Sequence, residues 1–199
     1  GLFASAAVAF DGSGETGADG LTPRNVNVEL RERERFTIAV GASASTSEGV
    51  GVDGLWEMRN FTGWGDRLRV TGQVATLQSR IGTSYRLPNI GKYGRNLEVG
   101  AEVEDFSTDA FDQTGANVSA KLEEHLTPRV RAALGLEFGY ASILDQQARI
   151  LGGLRRELLI LSGSATAEYV GVRDILDPTS GIRARVAIEP GLTYGDTNI

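Results

Sequence analysis

The sequence predicts an all-β chain laid out as an antiparallel up-and-down sheet, and three observations predict it. From Phe36 onward apolar and polar residues alternate strictly in stretches of about 9 to 13 residues, the period of a strand and not of a helix. No position assigned to the apolar side of that alternation carries a charge. Aromatic residues on the same side gather toward strand ends, where a ring suits a headgroup boundary.

Successive strand side chains point to opposite faces, so each stretch separates into two faces. The first sets Phe36, Ile38, Val40, Ala42 and Ala44 against Thr37, Ala39, Gly41, Ser43 and Ser45. The second sets Val50, Val52, Gly54, Trp56 and Met58 against Gly51, Asp53, Leu55, Glu57 and Arg59. Leu68, Val70, Gly72 and Val74 form the third apolar face, and Ile81 to Leu87 a shorter fourth strand. Leu97 to Glu104, Ala116 to Glu123, Val130 to Tyr140 and Leu159 to Tyr169 repeat the pattern. Ile182, Ala184, Val186, Ile188 and Leu192 close a series of nine strands. Connections at Ser47 to Gly49, Leu77 to Arg80, Ser107 to Thr114 and Leu144 to Gln147 fall at one end of such a sheet. Those at Asn60 to Asp66, Pro88 to Arg95, His125 to Arg129 and Arg173 to Gly181 fall at the other. In the last of these Pro178 presets φ and Gly181 closes the turn.

Before Phe36 the composition changes. Leu2 to Phe10 is small and apolar, Asp11 to Thr22 is a Gly/Asp loop, and Asn25 to Glu32 alternates again. These read as two strands of a separate small α+β module that ends near Arg33.

Alternation alone fits either an apolar face turned inward in water or one turned outward into lipid. Lipid is favoured on three grounds. A midplane Arg or Lys costs about 2–4 kcal/mol, and none occurs. The strands match the roughly 9 to 11 tilted residues that cross a bilayer rather than the 5 to 6 of an average soluble strand. Phe36, Trp56, Tyr85 and Tyr169 lie toward one rim, and Tyr140 and Tyr194 toward the other. The reading is a transmembrane barrel, with a soluble all-β module as the alternative. Because bacterial barrels close with an even strand number, nine strands predict a chain that stops partway round.

Composition narrows the chemistry. Lys plus Arg number 20 against 26 Asp plus Glu, a net charge of −6, and there is one His and no Cys. That excludes disulfides, thiolate metal sites and most zinc chemistry, and disfavours nucleic acid. No apolar run approaches the ~18 to 20 residues of a membrane helix. His125 reads as a solvated turn residue, not a general base. Glu102 and Glu104 stand about 7 Å apart along one strand, and lumen polarity explains them better than glycoside chemistry. Asp53 and Glu57, about 13 Å apart, cannot share a proton. Gly12 to Gly17 lacks the Lys-Ser/Thr of a phosphate-binding loop. Trp64 reads as an interface anchor. No catalytic residue, metal ligand or cofactor site is predicted, so no enzyme activity is expected.

Two motifs add a resemblance. Trp56-Glu57-Met58-Arg59-Asn60-Phe61-Thr62-Gly63-Trp64-Gly65-Asp66-Arg67-Leu68-Arg69 resembles the second-strand, turn and third-strand signature of the TamA branch of the BamA/TamA outer-membrane assembly superfamily. Leu176-Asp177-Pro178-Thr179-Ser180-Gly181 is similar to that superfamily's mid-barrel Leu-Asp-Pro-Thr-x-Gly turn, and Gly1-Leu2-Phe3 resembles the helix-to-strand junction of a POTRA domain. The matches fall in the family's order. The motif residues concerned are Trp56, Arg59, Asn60, Gly63, Gly65, Asp177, Pro178 and Gly181.

The resemblance implies that residues 1–33 end the last POTRA domain, in the periplasm. Residues 34–199 would then be the first half of a sixteen-stranded outer-membrane barrel. Phe36, Ile38, Val40, Ala42 and Ala44 would mark the first strand of a lateral seam. It further implies insertion or export of unfolded outer-membrane and autotransporter clients, without nucleotide hydrolysis, and an inner-membrane partner of the TamB kind. A two-partner-secretion pore or passive channel on the same plan is the alternative. The family's Arg-Gly-Phe/Tyr lid-loop motif and closing strand are not in this sequence.

Overall fold

The computed structural model describes residues 3–10, 25–46, 49–145, 154–171 and 181–198. The chain divides into two units, residues 1–35 and 36–199. In the first, β1 (Phe3–Phe10) pairs antiparallel with β2 (Val26–Glu32), Val8 opposite Val28.

The second unit is a single antiparallel sheet of β3 (Phe36–Ser45), β4 (Gly49–Arg59), β5 (Arg67–Ala75), β6 (Gln78–Leu87), β7 (Arg95–Ser107), β8 (Phe111–Thr127), β9 (Val130–Asp145), β10 (Leu154–Val170), β11 (Arg183–Ile188) and β12 (Gly191–Asn198). Neighbours in sequence are neighbours in space from β3 to β11, the up-and-down order that the alternating connections predict. β11 and β12 are one strand in two pieces. Ile188 faces Ala165 and Gly191 faces Ser162, so the register is unchanged across Glu189 and Pro190. Pro190 has no N–H to give, yet its carbonyl accepts from the Gly163 N–H at 2.9 Å and keeps the ladder joined.

Several strands are longer than the alternation alone indicates. The fourth spans ten residues, and β8, β9 and β10 span 17, 16 and 17. Connections shrink accordingly, as at Pro128–Arg129, and His125 lies within β8 instead of a turn. Leu144 and Asp145 lie within β9, and positions 146 and 147 of the predicted Leu144 to Gln147 loop lie outside the described residues.

Burial is reversed from that of a water-soluble sheet. Ala141 is the only buried hydrophobic among the described residues, whereas Glu57, Asp66 and Gln73 are buried. Along β7 the residues of the apolar face, Val99, Ala101 and Val103, are exposed, and Gly100 and Glu102 between them are half-buried. Ile38, Val52, Val118, Leu136 and Leu161 are likewise exposed on that face. A protein in water does not present an apolar sheet face of this extent; a sheet in lipid does.

The charges that flank this face set its height. On β7 the apolar-face series runs from Arg95 through Leu97, Val99, Ala101 and Val103 to Asp105. Ten residues at about 3.3 Å each, tilted by about 40°, rise about 25 Å, the height of a barrel's apolar band. On β8 the same face begins at Glu124, ion-paired to Lys92 and Arg95 at 2.8 and 2.9 Å. The aromatic rims follow the register. Phe36 and Tyr85 share the cross-strand row Phe36, Met58, Leu68, Tyr85, and Tyr140 and Tyr194 flank Leu159 in a row nearer the other end.

Candidate functional site

The motif residues of the second and third strands converge on the turn between β4 and β5. Asn60 enters the turn at φ 55°, and its Oδ1 accepts the Gly65 N–H at 2.9 Å. Asparagine tolerates this left-handed region because its short amide bonds locally. Gly63 and Gly65, at φ 93° and 74°, occupy conformations that a Cβ would strain. Asp66 closes the turn. Its carboxylate accepts the Thr62 N–H at 3.0 and 3.1 Å, and its carbonyl accepts the Asn60 N–H at 2.6 Å.

Asp66 is 1% exposed. Burial pushes its carboxyl up, but hydrogen bonds from Thr62 and from the Tyr85 hydroxyl outweigh burial and hold it below its ordinary 3.8. A depressed folded value stabilises the fold above the unfolded pKa, and that contribution is lost as pH falls through the folded value. Stability of the wild type is therefore expected to drop below about pH 3.8, while Asp66→Asn removes this part of the profile. At pH 7 the Asn variant is expected to be less stable by about 1–2 kcal/mol, the difference between charge-assisted and neutral hydrogen bonds. Guanidinium unfolding midpoints between pH 7 and 3 check both.

On the polar face beside this turn, Glu57 gathers three arginines. Oε1 is 2.7 Å from Arg59 and 3.8 Å from Arg67, and Oε2 is 2.7 Å from Arg69. Glu57 is 3% exposed. Arg59 also donates to the Thr37 hydroxyl at 3.0 Å, which ties the cluster to β3, an edge of the sheet. β3 pairs with β4 through Phe36 opposite Met58, Ile38 opposite Trp56, Val40 opposite Gly54, Ala42 opposite Val52 and Ala44 opposite Val50. Of the motif residues, Trp56 turns away from the cluster to the apolar face, its ring centroid 6.4 Å from that of Phe36.

In the second motif, Asp177 and Pro178 lie outside the described residues, as do Gly12 to Gly17 and the Ser47–Glu48 tip. Gly181 is described, at φ 141°, just before the Ile182 carbonyl that accepts the Gly171 N–H at 2.8 Å. Among the described residues no group of His, Cys, Asp or Glu is placed to hold a metal.

Two features escaped the sequence reading. The Glu57 cluster needs the pairing of Glu57 with Arg69, which the Asn60–Asp66 turn fixes and the sequence shows only once that register is known. The turn between β6 and β7 repeats the device of the first: Asn89 at φ 56° accepts the Gly94 N–H at 2.8 Å on Oδ1, with Gly91 and Gly94 also at positive φ. An Asn followed five residues later by Gly is the common signal in both turns.

An antiparallel up-and-down sheet with an exposed charge-free apolar band and a polar, ion-paired opposite face is the wall of an outer-membrane β-barrel. Residues 60–199 match the Omp85 superfamily domain. The chain therefore belongs to the Omp85 superfamily, the BamA/TamA superfamily, and so to the bacterial outer membrane. Its fold is similar to that of BamA from Haemophilus ducreyi lacking POTRA domains 1–3, with a TM-score of 0.63 and 16% identity. That match covers 96% of this chain and 40% of the BamA chain, so this sequence spans less than half the length of the solved protein. No curated protein matches the chain.

Proposed function

We propose that this chain is the N-terminal part of a TamA-like factor that assembles or translocates outer-membrane proteins, with no enzymatic step. Residues 1–33 are the end of a POTRA domain in the periplasm, and 34–199 the first half of the barrel. The observation that carries the reading is β3. It lies at a sheet edge, and Gly41, Ala42, Ser43, Ala44 and Ser45 give its second half no large side chain with which to lock a neighbour. An edge of this kind offers main-chain donors and acceptors to an incoming strand. The ion cluster through Thr37, Arg59 and Glu57 fixes the other half of β3 to β4. The edge is thus anchored by an ion cluster at the turn end, and beyond it β3 pairs with β4 through small residues. Its clients are unfolded β-barrel and autotransporter chains, its solvent is the outer-membrane bilayer, and an inner-membrane protein of the TamB kind is its partner.

In the complete protein, a disulfide from Ala42→Cys to a cysteine in the last barrel strand is expected to cut client insertion at least tenfold. Reductant is expected to restore it. Full insertion with the seam locked contradicts the proposal, and ion conductance without any client insertion assigns a passive or two-partner-secretion pore instead.

A further inference from the structure

The polar face holds a cation, Arg67, whose one ion-pair partner is a carboxylate that two other arginines hold more closely. Register places Arg59 and Arg86 directly opposite Arg67 on its two sides. Like charges so placed destabilise a sheet unless something neutralises them. The flanking cations each have a carboxylate within hydrogen-bond reach: Arg59 and Arg69 share Glu57, each at 2.7 Å, and Arg86 lies 2.9 Å from both Glu98 and Glu123. Arg67 has only its Nε, 3.8 Å from a Glu57 oxygen that Arg59 already holds. That exceeds hydrogen-bond reach, so among the described residues the guanidinium donates no hydrogen bond. With a side chain 40% exposed, it is open to a ligand from the aqueous side.

We propose that Arg67 is the centre of an oxyanion-binding site on the polar face, at the end of the sheet that carries the Asn60–Asp66 turn. A guanidinium presents its N–H groups as a planar fork matched to two oxygens of a carboxylate or a phosphate. Glu57 fills the side toward Arg59 and Arg69 and leaves the terminal nitrogens of Arg67 for such a group. The bound anion supplies the charge that the arginine row lacks. The site rests on register and pairing alone and stands whether or not the chain assembles other proteins.

Calorimetric titration of the full-length protein in detergent micelles, at constant ionic strength, with inorganic phosphate and separately with acetate, tests the site. Saturable binding of at least one anion is expected, weakened tenfold or more in Arg67→Gln. It should be unchanged in Arg131→Gln, whose charge faces Glu168 across the β9 and β10 ladder. Binding of acetate assigns a carboxylate source and binding of phosphate alone a phosphate source. Should Arg67→Gln not fold, Arg67→Lys keeps the charge without the fork and is expected to bind at least threefold more weakly. Absence of saturable binding for both anions, or wild-type affinity in the folded Arg67 variant, overturns the proposal.

Discussion

Glu57→Ala is expected to destabilise the barrel sheet by about 3 kcal/mol, the lower end of the cost of removing one partner from a buried ion pair. The lower end applies because the arginines it serves are partly exposed, at 19, 40 and 44%, so water takes up some of their charge. Three cations would be left on adjacent strands without their shared carboxylate. The loss falls on β3 as well, because Arg59, freed from Glu57, no longer presents its guanidinium to Thr37 in one geometry. The double variant Glu57→Ala/Arg69→Ala is expected to be more stable than Glu57→Ala alone, since it removes the cation along with its partner. Urea unfolding of the four corners of that cycle in micelles measures the coupling.

Much of this architecture is legible in the residues, and the reason is the barrel's two solvents. A sheet with lipid on one face and a polar interior on the other must alternate without lapse. Val99, Ala101 and Val103 against Glu98, Glu102 and Glu104 therefore specify both strand and face. Strand ends are less legible because alternation continues past the lipid. Arg95 and Asp105 obey the same parity as the apolar residues between them, and only their charge marks the boundary. The interruption at Glu189 and Pro190 leaves the alternation and the register intact on both sides, so the sequence reads as one strand where the structure has two pieces on one ladder.

The site divides along the same line. Asn60, Gly63 and Gly65 stand out because left-handed backbone has few tenants. Glu57 and Arg69 are twelve positions apart and meet only through cross-strand register, which no local pattern carries. Along its own strand the nearest carboxylate to Glu57 is Asp53, about 13 Å away and without influence on it. The relevant neighbours lie across the ladder.

On this fold the apolar face meets lipid and the polar face does not. Val118 and Ser119 put it to the test within one strand. Val118 is exposed on the apolar face, opposite Ala101 and Phe138 and well inside the span between Glu124 and Thr114. Ser119 is on the other face, opposite Gly100 and Glu137, lining a hollow of about 600 Å³. An Arg at position 118 is placed in hydrocarbon near the midplane and is expected to cost about 2–4 kcal/mol. An Arg at 119 enters a roomy polar space facing Glu137 and is expected to cost under about 0.5 kcal/mol, as for a surface substitution. The measurement is the unfolding free energy of Val118→Arg beside Ser119→Arg, in the complete protein folded into phospholipid vesicles. A loss confined to Val118→Arg is the predicted result; equal losses, or a larger loss for Ser119→Arg, would mean that the apolar face is turned away from lipid.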